Sequence, residues 1–182
     1  MADKPLKIVM CGPTRSGKTS IANFIAGRTE QLGHPEQKYE PTVGARILEC
    51  EKQPGIAGGK INIELWDVSG DQNFEACWPG VMKDADGVVL VYNPEVPSHQ
   101  PELGIWYDHF VKGAGLDDEH CQVLVHRTDP TPAPRTRPPP KLQNVGSVVN
   151  TNFASVTQVI NAFDDFLQTV MVRDKGGGGG GG

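Results

Sequence analysis

Eight residues constrain this chain more than any others: Gly12-Pro13-Thr14-Arg15-Ser16-Gly17-Lys18-Thr19. They satisfy G-x-x-x-x-G-K-[S/T] at every fixed position. An apolar run before them, Leu6–Met10, reads as a buried strand, and Thr19–Ala26 after them reads as a helix, with Ile21, Ala22, Phe24 and Ile25 available for packing. A chain that wraps phosphate groups must bring backbone N–H groups within hydrogen-bonding reach, and glycine removes the side chain that would block the approach. The helix beginning near Gly17 adds its positive end. Lys18 supplies a point charge between the outer phosphates, and the Thr19 hydroxyl can ligate Mg²⁺. Gly12, Thr14, Arg15, Ser16, Gly17, Lys18, Thr19 and Ser20 are therefore candidate phosphate-binding residues. The plainer alternative is a strand-to-helix turn with a chance Lys-Thr, and the motif alone leaves base and reaction open.

The rest of the chain alternates apolar runs with helical patterns, as an α/β sheet does. Arg28–Gly44 is polar, contains Gly33, Pro35 and Pro41, and reads as a long loop of the kind that usually carries function. Ala45–Glu51 and Lys60–Asp67 read as an antiparallel hairpin turning at Pro54–Gly59. Gly87–Tyr92 and Cys121–His126 are continuous apolar runs suited to central parallel strands covered on both faces. Between them Pro94, Pro97 and Pro101 mark a loop, and Glu102–Lys112 reads as a helix. Six prolines in Asp129–Lys141 exclude a long helix and predict an extended surface loop. Val156, Val159, Ile160, Phe163, Phe166, Leu167 and Val170 form one helical stripe. Gly176–Gly182 reads as a flexible tail, leaving a single domain over 1–172 and an appendage over 173–182.

Formal net charge is −5, with 37% hydrophobic and 21% charged residues in 182. That composition is globular, and it argues against a nucleic-acid partner, which selects a basic face. No apolar run reaches the ~20 residues that span a bilayer. Met1–Pro5 lacks a signal-peptide pattern, Ala2 stands where myristoylation needs glycine, and the C-terminus offers no cysteine for prenylation, so no direct lipid anchor is expected. Cys11, Cys50, Cys77 and Cys121 are too scattered for a zinc site or disulfide framework and read as buried free thiols.

Two further elements sit where phosphate sensing needs them. Trp66-Asp67-Val68-Ser69-Gly70 ends the hairpin: an Asp there can hold the hydration shell of Mg²⁺, and the glycine N–H can report on a terminal phosphate. Pro41-Thr42-Val43-Gly44 sits in the long loop before the paired strand, where Thr42 can close on metal and phosphate. Thr19, Thr42 and Asp67 are thus the candidate metal set. In this order the three elements resemble the phosphate loop and the two switches of the Ras-like small GTPases. The resemblance spans about Leu6–Val172 and implies a P-loop NTPase domain, a six-stranded, mostly parallel sheet flanked by helices, with GTP or GDP and Mg²⁺ at the carboxyl ends of the strands.

Tyr39–Glu49, Glu64–Asp67, Phe74–Pro79 and Met82–Val89 resemble more narrowly the Rab-like protein 5 branch, with support from Pro97-Ser98-His99 and Trp106-Tyr107. That resemblance implies a monomeric subunit within the intraflagellar transport B complex. It would bind a coiled-coil pair of other subunits and act in cilia or flagella, with a cytoplasmic pool in the basal-body region.

Departures from the family pattern carry expectations of their own. Asp71 stands where a glutamine orients the attacking water, and its negative charge opposes approach to phosphate. Thr14 crowds the same place. Little intrinsic hydrolysis is expected, and Asp71 is not assigned as catalytic. The base-reading Asn-Lys-x-Asp becomes His126-Arg127-Thr128-Asp129. Asp129 can accept both guanine edge donors, Arg127 can lie over the purine face, and His126 can donate one hydrogen bond but cannot copy an amide. Guanine preference is expected to persist with weaker affinity or selectivity. Thr151-Asn152-Phe153 is a looser match to the last base-contacting loop. An active, helper-regulated Rab-like switch and a small-molecule kinase are the rivals, the kinase lacking an arginine-rich lid. Phe74 and Trp78, at i and i+4, read equally as core or as partner patch; Trp106 and Tyr107 read as packing; His34, His99, His109 and His120 read as solvated.

Overall fold

The computed structural model describes residues 4–34, 36–55, 58–132 and 134–174. The expectations for the extreme N-terminus and the glycine tail lie outside the described residues, as do Pro35 and part of the hairpin turn. The apolar runs become strands β1 (Leu6–Cys11), β2 (Ala45–Lys52), β3 (Ile61–Val68), β4 (Gly87–Tyr92), β5 (Cys121–Arg127) and β6 (Ser147–Asn152), interleaved with helices α1 (Lys18–Ile25), α2 (Trp78–Met82), α3 (His99–Tyr107) and α4 (Val156–Asp174). The six strands make one sheet in the order β2-β3-β1-β4-β5-β6. Only β2 and β3 pair antiparallel, with Arg46 opposite Asp67; the other pairings are parallel.

Alternation along the strands divides the core in two. Ile8, Met10, Val89, Val91 and Leu124 face α1 and α4, which contribute Ile21, Ile25, Phe163 and Leu167. Val9, Val88, Leu90, Val123 and Val125 face α2 and α3. This second layer is built on aromatic contacts: Trp78 lies with its ring centroid 4.7 Å from Trp106 and 5.2 Å from Phe110. Trp78 is thus core, whereas Phe74, on the 3₁₀ turn Gln72–Cys77, stays half-buried.

Several expectations need correction. The helix expected from Glu102 starts at His99, because Pro101 falls in its first turn, where no N–H partner is required. From Asp108 to Lys112 it widens into a π turn, closed by Gly113 N–H donating to Asp108 O at 2.8 Å. His99 and His120 are buried, not solvated. His99 Nδ1 accepts the Asn93 N–H at 3.1 Å, tying the start of α3 to the end of β4, and burial lowers its pKa. Of the four thiols only Cys11 and Cys121 are buried; Cys50 lies on the edge strand β2 and Cys77 is exposed at the end of the 3₁₀ turn.

Among its described residues the proline-rich segment has no α-helix, and it ends in a 3₁₀ turn at Pro140–Leu142. It is pinned to the sheet: Thr136 exchanges two hydrogen bonds with the Asn150 side chain, at 2.8 and 3.2 Å. Among the described residues, no helix is long and apolar enough to cross a membrane. Replacing Trp106, fully buried at the centre of the aromatic layer, by alanine is expected to cost about 3–5 kcal/mol, read from urea unfolding midpoints with an unchanged slope.

Candidate functional site

The carboxyl ends of β1, β3, β5 and β6 bring the sequence motifs together in two clusters. The first is a phosphate pole. After β1 the chain turns through Gly12 and enters α1 at Gly17, whose φ of +92° suits glycine. No side chain caps α1, and its first turn bonds from Ile21 N–H to Gly17 O at 3.0 Å, so the earlier helical N–H groups are left to a ligand. Lys18 is buried, and its Nζ donates to Pro13 O at 2.6 Å across the loop. Burial lowers its pKa to about 8, with the Asp67 charge opposing that shift. Thr14 and Arg15 are exposed on the outer side of the loop, Ser16 is buried, and Ser20 lines a cleft of about 360 Å³ with Asn23, Gln31 and Gly33. Arg15, in the left-handed region at φ 58°, places its guanidinium 4.5 Å from the Tyr39 ring centroid and so links the phosphate loop to the long loop.

Thr19, Thr42 and Asp67 converge. Asp67 is fully buried at the end of β3, and its Oδ2 accepts from Thr19 Oγ1 at 2.8 Å; the two threonine hydroxyls lie 2.9 Å apart. Its Oδ1 is buried without a partner. Two hydroxyls and a carboxylate with an orphaned oxygen form a hard-oxygen set that fits Mg²⁺ and its waters. Gly70 closes this pole. A Cβ there would stand 2.4 Å from Thr14 N, so the second switch can approach the phosphate loop only as glycine. Asp71, in the water-positioning place, instead accepts the Asn73 N–H at 2.9 Å and caps the 3₁₀ turn.

The second cluster is the base pole. His126, at the end of β5, is wholly buried, with Nδ1 2.9 Å from Thr151 Oγ1 and its ring edge-on to Phe153. A Cβ at Gly17 would stand 2.7 Å from its Cδ2, so this ring lies directly behind the phosphate loop. Nε2 has no protein partner, and burial pulls the imidazole pKa down to about 4, keeping it neutral. Asp129 accepts the Thr131 N–H at 2.7 Å through Oδ1, and its carbonyl accepts from Phe153 N–H at 3.1 Å, joining the two base-pole loops. Asn152 folds its side chain into its own turn, accepting from Ala154 N–H at 2.9 Å. The Arg127 guanidinium, expected over a purine, is anchored in the proline-rich loop: Nη2 donates to Pro134 O at 3.0 Å and Thr136 Oγ1 at 2.8 Å. Elsewhere, an open depression of about 480 Å³ between β6 and α4 is lined by Ser147, Val149, Gln158 and Asp165, and none of the motif residues reaches it.

Sequence reasoning missed Arg46, whose Nη2 lies 3.0 Å from Asp67 Oδ2. The signal was available in the hairpin register, because pairing Ala45 with Val68 sets Arg46 opposite Asp67.

A glycine-bounded loop over a buried lysine, closed by Thr42 and Asp67 at one end of a parallel sheet, is the construction of a Ras-like GTPase domain, and the chain belongs to that family. Residues 7–129 match the family model described as Ras of Complex, Roc, domain of DAPkinase. Within it, the chain is 38% identical over 171 residues to the intraflagellar transport protein 22 homolog of Danio rerio, covering 91% of this chain and 90% of that protein. The Homo sapiens homolog is 46% identical over 123 residues, covering 66% of this chain and 64% of that protein. The crystal structure of T. brucei IFT22/74/81, GTP-bound, superposes with a TM-score of 0.75 at 28% identity, over 96% of this chain and 99% of that one. GDP-bound T. brucei IFT22 gives 0.65 at 27%, over 94% and 99%.

The buried Lys18 destabilises the ligand-free fold. Its folded pKa, about 8, lies below the usual 10.5, so folding expels a proton between those values and stability rises with pH across that window. In nucleotide-free protein, Lys18→Met should therefore be the more stable variant below pH 8, by up to about 3 kcal/mol, and should lose that advantage above pH 10.5. Urea unfolding at several pH values measures the difference.

Proposed function

We propose that this chain is a guanine-nucleotide-binding subunit of the intraflagellar transport B complex. It holds GTP or GDP with Mg²⁺ and docks a coiled-coil pair of subunits, itself monomeric, in the cilium or flagellum and in a cytoplasmic pool near the basal body. The observation that carries the nucleotide reading is the convergence of Thr19, Thr42 and Asp67 beside the buried Lys18. The relatives' names and the trypanosome complex support the assembly.

In this reading the loop from Gly12 to Ser20 wraps the phosphates, Lys18 pairs with the outer ones, and Thr19, Thr42 and Asp67 hold the metal. Bound Mg²⁺ offsets phosphate charge. Gly70 N–H meets the terminal phosphate. Asp129 keeps one carboxylate oxygen outside its Thr131 bond and uses it on the guanine edge. With the Thr151 hydroxyl donating to Nδ1, His126 carries its proton on Nε2 and donates to the base from there. That single bond replaces an amide pair, which weakens the grip on the base. The loop Thr151–Phe153 flanks the base, while Arg127 serves the proline-rich loop instead.

Chemistry after binding is slow in this reading, because Asp71 is occupied as a cap of the 3₁₀ turn. Partner docking falls to the exposed apolar residues beside Thr42, namely Tyr39, Val43 at 77% exposure and Ile47 at 50%. Nucleotide state orders that loop and so tunes docking.

Purified protein is expected to release guanine nucleotide on denaturation, and Lys18→Ala to lose affinity by about tenfold or more. ATP at equal concentration should leave bound GTP in place, and His126→Asn should tighten it. Absence of any guanine nucleotide, with no heat on GTP or GDP addition, overturns the reading. Single-turnover phosphate release should fall below the order of 10⁻⁴ s⁻¹ shown by intact small GTPases alone. Repeating the assay with the coiled-coil subunits added separates this reading from a helper-activated switch.

A further inference from the structure

Asp67 is fully buried, yet everything that bonds it reaches one oxygen. Thr19 donates to Oδ2 at 2.8 Å, Thr42 lies 3.5 Å from it, and Arg46 donates twice, from Nε at 3.2 Å and Nη2 at 3.0 Å. The same Nη2 donates to Asn23 Oδ1 on α1 at 3.1 Å, so the guanidinium is held from the helix as well as from the sheet. A buried carboxylate needs a cation, because removing its water costs more than hydroxyl donors return. In the family design that cation is the metal ion. Here the chain brings one of its own to the carboxylate.

We propose that Arg46 is a built-in counter-cation for Asp67, a positioning residue that lessens how far nucleotide binding depends on Mg²⁺. The proposal rests on the nucleotide reading above and adds the control of its metal pole. Two effects of charge act in the same direction. Without Mg²⁺, a bare Asp67 would face the phosphates as a like charge; Arg46 neutralises it and keeps the Thr19 and Thr42 hydroxyls gathered around it. When Mg²⁺ arrives, the guanidinium is a like charge on the same carboxylate and weakens the metal's hold. Asn23 makes this persistent, since it accepts from the same Nη2 that, together with Nε, donates to Oδ2.

A plain cross-strand ion pair is the rival account. It predicts a change in stability and none in metal response. The Arg46 side chain keeps 41% of its surface exposed while Asp67 keeps none, so trimming the arginine opens no core cavity and the variant is expected to fold.

The test compares wild type, Arg46→Gln, Arg46→Lys and Asn23→Ala. The affinity and dissociation rate of a fluorescent GDP analogue are measured in excess Mg²⁺ and in EDTA, and Mg²⁺ is then titrated at fixed GDP. Wild type should lose less than about tenfold in affinity on metal removal, and Arg46→Gln should widen that gap by about tenfold or more. The Mg²⁺ midpoint of Arg46→Gln should move to lower concentration. Arg46→Lys, which keeps the charge without the fork, should fall between, and Asn23→Ala should shift the same way by less. GDP binding with the same Mg²⁺ response in wild type and Arg46→Gln overturns the proposal while leaving the nucleotide reading intact. If Arg46→Gln fails to fold, an unchanged response in both Arg46→Lys and Asn23→Ala overturns it equally. Wild type that binds no GDP under either condition overturns both readings together.

Discussion

The chain keeps a positive and a negative group out of water at the same place, without ion-pairing them to each other. Lys18 is buried under its loop with its ammonium on a backbone carbonyl, and Asp67 is buried at the end of the neighbouring strand with a free oxygen. Neither arrangement serves folding: burial drives the lysine pKa down to about 8, and the carboxylate is left partly unsatisfied. The two-layer core must offset both, and where α2 meets α3 it does so in part through the contact of Trp78 with Trp106. A ligand that is anionic toward Lys18 and metal-bearing toward Asp67 relieves both strains, and the unused first-turn N–H groups of α1 lie between.

The same economy of position governs the loop before β2 and the turn after β3. The loop before β2 has Leu32 as a core anchor, and the turn Gln72–Cys77 after β3 has no buried residue. The first is held by Thr42 and by the contact of Arg15 with Tyr39. The second is held by the close approach of Gly70 to Thr14 and by the Asp71 cap. The two segments also meet each other, Ser69 N–H donating to Gly44 O at 2.8 Å, and the second reaches α3 where Gln72 Nε2 donates to Glu102 Oε1 at 3.2 Å. Exposed Val43 sits on the first of them, and exposed Ile47 on the adjoining strand β2.

Much of this was legible in the residues because the signals were local. The motif Gly12–Thr19, the alternation of Ile61, Ile63 and Leu65, and the stripe on α4 each encode their geometry within a few residues. The misreadings concern side chains whose fate depends on distant elements. His99 and His120 read as solvated because histidine gives no periodic signal, yet one is drawn inward by the Asn93 amide and the other by packing beside β5. Cys77 read as buried because apolar neighbours surround it in sequence, while the 3₁₀ turn points it outward. Arg46 was passed over because its meaning lies across the hairpin, in register and not in motif.

The proline-rich segment shows how a stretch that cannot form a helix is held in place. Prolines between Asp129 and Lys141 cannot supply N–H groups for a helix, so the segment must be held by side chains from the sheet. Arg127 and Asn150 provide them, and Tyr92 adds a bond from its hydroxyl to Arg137 O at 3.4 Å. Arginine suits the task better than lysine, because its fork can serve Pro134 O and Thr136 Oγ1 from one nitrogen and still lie 3.6 Å from Glu95 through another. Arg127, two residues before Asp129, is thereby bound to the proline-rich loop.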